Sequence, residues 1–133
     1  MSQGTPMGSS LMSTQQRLVV VVDDDPFMLK AIQRLLTAHG FDVEAFVSAE
    51  AFLASDALNK ANCLVLDISL GGMSALELGR RLTASGRHLP TIFITAMDNA
   101  VASREAKEAP CIAYLPKPFP AAELIGAIAK ATA

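Results

Sequence analysis

Residues 18–26 read Leu18-Val19-Val20-Val21-Val22-Asp23-Asp24-Asp25-Pro26. Five apolar residues, four of them β-branched, run directly into three carboxylates and a proline. An apolar run this short without alternation is a strand covered on both faces, as in a parallel sheet. Pro26 suits the first turn of a helix, where the missing N–H costs nothing. The three acids therefore sit at the carboxyl end of a central strand, the edge where open α/β sheets bind ligands. Neighbouring carboxylates repel by about 4 kcal/mol at 4 Å and an effective dielectric of 20. A hard cation such as Mg²⁺ relieves that repulsion. One Asp could equally be a helix cap that complements the dipole, and the choice between cap and metal site rests on the rest of the chain.

Three further runs repeat the pattern. Cys63-Leu64-Val65-Leu66 ends on Asp67, Thr91-Ile92-Phe93-Ile94 on Thr95-Ala96, and Cys111-Ile112-Ala113-Tyr114-Leu115 on Pro116-Lys117-Pro118-Phe119. All three read as buried strands. Phe41–Phe46 alternates apolar and polar residues and reads as a half-buried edge strand. Between the runs lie helical patterns. Phe27, Met28, Ala31, Ile32, Leu35 and Leu36 form one apolar stripe, stopped by Gly40. Ser48 caps a short helix with Glu50, Ala51 and Leu53, Ser74 caps a third, and residues 98–108 form a fourth with a thin apolar face that Pro110 ends early. That fourth helix is expected to be the least stable. Leu124, Ile125 and Ile128 mark the last.

Five strands alternating with five helices imply a parallel sheet with helices on both faces, in the flavodoxin-like order 2-1-3-4-5. Residues 1–17, rich in Ser, Gly, Gln, Thr and Met, read as a disordered tail or an expression remnant, and 18–133 as one domain. A chain of 133 residues with half of them hydrophobic and 18% charged supports one real core. The net charge of −2 has no Lys/Arg cluster, which argues against nucleic-acid binding. No apolar run reaches the length of a membrane span. Cys63 and Cys111 read as buried free thiols in a reducing cytosol rather than a disulfide.

In that strand order, Asp23, Asp24, Asp25, Asp67, Thr95 and Lys117 converge on one edge. Separately each has an ordinary reading: a cap, a loop Asp, a satisfied turn hydroxyl, a solvated Lys. Together they offer acids for a divalent metal, a central carboxylate, a hydroxyl and an ammonium, which suits phosphoryl transfer by positioning and charge neutralisation. The carboxylate can serve as nucleophile and give an acyl phosphate.

The chain resembles the CheY-like receiver domains of two-component response regulators. The resemblance spans about residues 17–131 and rests on Val21-Val22-Asp23-Asp24, Leu66-Asp67, Ile94-Thr95-Ala96 and Leu115-Pro116-Lys117-Pro118-Phe119. Residues 46–53 look most like receivers that precede a LuxR-type helix-turn-helix output domain. The resemblance implies Asp67 as phospho-acceptor, with Asp23, Asp24, Asp67 and the Ser69 carbonyl as ligands for Mg²⁺. It implies Lys117 and the Ala96 amide on the phosphoryl oxygens, Thr95 and Tyr114 as the conformational switch, Asp25 as a helix cap, and a cis Lys117–Pro118 peptide. Such a domain is not an enzyme toward other substrates and catalyses only its own phosphorylation and dephosphorylation. Its implied partners are a histidine kinase or phosphotransfer protein, a second copy on phosphorylation, and an output domain if the chain is part of a longer regulator. Its implied location is the cytoplasm.

Two departures stand out. Gly71 occupies the place of the usual Pro and Ala75 that of the usual Gly, and Pro110-Cys111 replaces the usual Gly-Ala before the last strand. Three rivals deserve comparison. A haloacid-dehalogenase-type phosphatase would use Asp23 and Asp25 but needs a later acidic pair, and only Glu123 follows Lys117. A nucleotide-binding flavodoxin-like domain needs glycines where this first turn has acids. A pseudo-receiver that acts only as an interaction module would have lost Asp67, Asp24 or Lys117.

Overall fold

The structure is a computed structural model and describes residues 17–68, 75–86, 89–96 and 113–133. Its elements are β1 (Leu18–Val22), α1 (Pro26–Ala38), β2 (Asp42–Phe46), α2 (Ala49–Leu53), α3 (Ala57–Lys60), β3 (Cys63–Asp67), α4 (Ala75–Ala84), β4 (Thr91–Ala96), β5 (Ala113–Lys117) and α5 (Ala121–Ala131). The five strands are all parallel, in the order β2-β1-β3-β4-β5. The step from β1 to β2 runs one way along the sheet and the three steps from β2 to β3, β3 to β4 and β4 to β5 run the other, so helices pack on both faces and the central strands are buried on both sides.

The two-residue period of a strand explains the core. Val19 and Val21 point to one face, with Cys63, Val65, Ile92 and Ile94, and meet Leu29, Ile32 and Leu36 of α1 and Leu124 and Ile128 of α5. Val20 and Val22 point to the other, with Leu64, Leu66 and Phe93, and meet Phe52, Ala57, Leu78 and Leu82. The all-apolar runs of β1 and β3 are required because neither face is open to water. Truncating such a residue to Ala costs about 2–5 kcal/mol.

Local chemistry sets the ends of the elements. The Asp25 carboxylate accepts hydrogen bonds from the amides of Phe27 (3.0 Å) and Met28 (3.5 Å) and caps α1. Pro26 takes the first helical position. Gly40, at φ 89°, lets the chain leave α1 in the left-handed region. The Ser48 hydroxyl accepts from the Ala51 amide and caps α2. The Asn62 side chain accepts from the Leu18 amide and fixes the start of β1.

The structure corrects two expectations and adds a short helix. Phe27 and Ala31 lie outside the buried stripe of α1, which is Leu29, Ile32 and Leu36. The cap at Asp25 sets the phase of the helix and turns Phe27 into solvent. The short helix expected after Ser48 is present as Ala49–Leu53, and a further short helix, Ala57–Lys60, follows it, because the Ser55 hydroxyl donates to the Phe52 carbonyl and accepts from the Ala57 amide, turning the chain between them. The fifth strand is not buried throughout: only Leu115 of Ala113–Lys117 is, since β5 is a sheet edge. Ser69, Gly71, Gly72, Ser74, residues 98–108, Pro110 and Cys111 lie outside the described residues. Among the described residues, no helix is long and apolar enough to cross a membrane.

Candidate functional site

The carboxyl ends of β1, β3 and β5 bring three charged groups together. Asp23 follows β1 directly. Its amide donates to the Phe46 carbonyl (3.1 Å), continuing the β1–β2 pairing by one residue and drawing Asp23 into the interior. Its Oδ1 accepts from the Asp25 amide at 2.9 Å. Asp67 ends β3 and is buried, in register with Ile94. Lys117 ends β5, and its stem reaches inward so that Nζ lies 3.4 Å from Oδ2 of Asp67 and 3.5 Å from Oδ2 of Asp23. The Lys117–Pro118 peptide is cis, as the resemblance implied.

The electrostatics are unbalanced at Asp23. Its carboxylate is fully buried, and Oδ2 accepts no hydrogen bond despite the nearby ammonium. Burial pushes its pKa up to about 6, helped by the negative charge of Asp67 and opposed by the Asp25 amide and Lys117. One ammonium thus faces two buried carboxylates, with the exposed carboxylate of Asp24 beside them. Asp23, Asp24 and Asp67 each offer an oxygen within 4.8 Å of the others. An all-oxygen set containing an orphaned buried carboxylate oxygen fits a hard dication such as Mg²⁺. Asp25 is not part of the set, because its carboxylate caps α1.

Thr95 and Ala96 close β4, opposite Pro116 and Lys117 of β5. Thr95 is buried. Tyr114 is half-buried and pairs in register with Phe93, two residues before Thr95, so strand alternation puts Tyr114 and Thr95 on one face of the sheet. The predicted residues Asp23, Asp24, Asp67, Thr95, Ala96 and Lys117 therefore share one edge, and Tyr114 lies one alternation back from it. Ser69 lies outside the described residues. The sequence reading missed what holds Asp23 in place: the Phe46 carbonyl and the Asp25 amide. Backbone groups leave no mark in residue identity, so only the Asp-x-Asp spacing hinted at the second contact.

A family model for the response regulator receiver domain matches residues 19–129. The chain belongs to that family. Over 122 residues it is 34% identical to the response regulator protein TmoT of Ectopseudomonas mendocina, covering 92% of this chain and 56% of TmoT. It is also 34% identical over 110 residues to the transcriptional regulatory protein FixJ of Azorhizobium caulinodans, covering 83% of this chain and 52% of FixJ. The receiver thus spans about half the length of the curated relatives it matches. Among solved structures, it superposes on FixJ-N with a TM-score of 0.79 at 34% identity, covering 89% of this chain and 94% of that one. The receiver family also sets aside the phosphatase and nucleotide-binding readings.

Proposed function

We propose that this receiver accepts a phosphoryl group on Asp67 from the phosphohistidine of a histidine kinase or phosphotransfer protein. One Asp67 oxygen attacks phosphorus, the P–N bond breaks, and the imidazole leaves with the electron pair and takes up a proton. Asp23, Asp24, Asp67 and the Ser69 carbonyl would hold Mg²⁺, which when bound neutralises charge on the phosphoryl oxygens. Lys117 supplies the second positive charge, and the Ala96 amide donates to a further oxygen. The observation that carries this reading is the Lys117 ammonium standing within 3.5 Å of both Asp67 and Asp23. The site holds its cation in place before the anion arrives, which is how preorganised electrostatics lowers a barrier.

The proposed output rests on the resemblance and is supported by Thr95 and Tyr114 sharing one face of the sheet. The Thr95 hydroxyl turns onto the phosphoryl group, and Tyr114, on the same face, follows it inward. This would remodel the face that carries β5 and α5, which then controls dimerisation or an attached output domain, of the LuxR helix-turn-helix type by resemblance. Reversing a 1:99 population takes about 5.5 kcal/mol, within reach of a new dianion meeting two cationic groups. The receiver would act in the cytoplasm and catalyse only its own phosphorylation and dephosphorylation. The transcriptional regulators among its relatives support a role in gene control.

Beryllofluoride, which stands in for the phosphoryl group, tests the site. Fluorine NMR of the receiver with Mg²⁺ and beryllofluoride should give bound resonances that vanish in Asp67→Asn. Absence of bound signal in the wild type favours a phosphorylation-independent interaction module instead.

A further inference from the structure

The two carboxylate oxygens of Asp23 have different surroundings. Oδ1 accepts from the Asp25 amide at 2.9 Å. Oδ2, also buried, accepts no hydrogen bond, although the Lys117 ammonium stands 3.5 Å away. The group that donates to Oδ1 is itself held by its own side chain. The Asp25 carboxylate accepts from the amides of Phe27 (3.0 Å) and Met28 (3.5 Å), which ties the Asp25 backbone to the first turn of α1. Asp25 sits at φ −90° and ψ 109°, in the extended region that a following proline imposes. Pro26 has no N–H and so cannot compete for either carboxylate. An exposed acid thus serves the end of a helix, while the buried acid two residues earlier keeps one bare oxygen.

We propose that Asp25 is a positioning residue for the metal centre: its cap on α1 fixes its own amide against Oδ1 of Asp23 and so reserves Oδ2 for the cation. The inference rests on Asp23 being a Mg²⁺ ligand. The last torsion of an Asp side chain is broad and two-fold, so an unrestrained carboxylate presents either oxygen and fixes neither. Mg²⁺ demands near-ideal octahedral geometry and rewards an oxygen held in one direction. The Asp23 backbone is held separately, because its amide donates to the Phe46 carbonyl. Loss of the Asp25 cap therefore releases the Asp23 carboxylate while leaving the residue in place. Removing a group that orients a metal ligand typically weakens metal binding by about 10–100-fold.

The test titrates MgCl₂ into the full chain and follows amide NMR shifts, for wild type and for Asp25→Ala, Asp25→Gly, Asp25→Asn and Asp25→Ser. All four variants lose the Asp25 charge, but only Asn and Ser keep a side-chain oxygen that caps a helix. Gly is tolerated at an N-cap almost as well as they are, so Asp25→Gly removes the oxygen with little loss of stability. Asp25→Ala and Asp25→Gly should raise the Mg²⁺ Kd at least about tenfold, and Asp25→Asn and Asp25→Ser by no more than about threefold. The residue-25 amide should exchange with solvent at least about tenfold faster in the Ala and Gly variants than in the other three proteins. Three outcomes overturn the inference. The first is an unchanged Kd in Asp25→Gly, which makes the cap purely structural. The second is equal weakening in all four variants, which assigns the effect to the Asp25 charge. The third is weakened binding in Asp25→Gly with exchange at residue 25 unaltered. A wild type that shows no Mg²⁺-dependent shifts overturns the metal-site reading itself, and the positioning role with it.

Discussion

Lys117 Nζ stands 3.5 Å from Oδ2 of Asp23, close enough for attraction but without a hydrogen bond to that buried oxygen. The pair is stretched because the same ammonium lies 3.4 Å from Asp67. One ammonium is thus shared between two buried carboxylates, and this sharing has measurable consequences.

The first concerns pH and Mg²⁺. The folded-state pKa of Asp23, about 6, exceeds its ordinary 3.8, chiefly through burial. The folded chain thus holds this proton more tightly than the unfolded chain. The resulting stabilisation is complete below the unfolded pKa and is lost as pH rises through about 6. Metal binding requires the deprotonated acid. Thermal melts should show Mg²⁺ raising Tm at about pH 7.5 and much less at about pH 5. Asp23→Asn should raise the metal-free Tm at the higher pH and abolish the Mg²⁺ response.

Removing the ammonium should act in the opposite direction. Lys117→Ala leaves two buried carboxylates facing each other without a counter-charge, and should destabilise the metal-free protein by about 1–3 kcal/mol at neutral pH. It should also slow labelling by acetyl phosphate by about a hundredfold, as expected for loss of a preorganised charge. Urea melts and labelling kinetics separate the two effects.

Tyr114 is the sole tyrosine of a chain without tryptophan, so intrinsic fluorescence reports on it alone. Adding Mg²⁺ and beryllofluoride should change that fluorescence. Thr95→Ala should still bind beryllofluoride, by fluorine NMR, while the tyrosine signal stays unchanged. A full response in Thr95→Ala would separate Tyr114 from Thr95.

Much of this fold was legible in the sequence, for a physical reason. A strand covered on both faces must be apolar at every position, so the runs at 18–22 and 63–66 declared a parallel sheet and their places within it. Asp23 and Asp67 fell on one edge because each immediately follows such a run, and Lys117 joins them because it ends β5 of the same parallel sheet. Helix phase was less legible. The apolar residues of α1 fit two adjoining stripes, and the choice was made by the Asp25 cap, which buried Leu29 and exposed Phe27. The turn between α2 and α3 depends on one serine hydroxyl bonding in both directions, which no periodicity reveals. The half-burial of β5 follows from its place at the sheet edge rather than from its own residues.

Two substitutions away from the site check the packing. Gly126 is exposed on α5, and an added Cβ would meet no atom within 4 Å. Gly126→Ala should stabilise the chain by about 0.5–1 kcal/mol in denaturant melts, since Gly loses more backbone entropy in a helix. Cys63 is buried in β3, and burial pushes its thiol pKa up to about 12. In a Cys111→Ser background, Cys63 should resist iodoacetamide until the chain unfolds.

The most direct test of Asp67 as a Mg²⁺-dependent phosphoryl acceptor is intact-mass spectrometry after incubation with acetyl phosphate. Wild type and Asp67→Asn are compared, each with and without Mg²⁺. The account predicts a gain of one phosphoryl group in the wild type with Mg²⁺, and none without Mg²⁺ or in Asp67→Asn. An equal gain in Asp67→Asn, or no gain in the wild type with Mg²⁺, would contradict it.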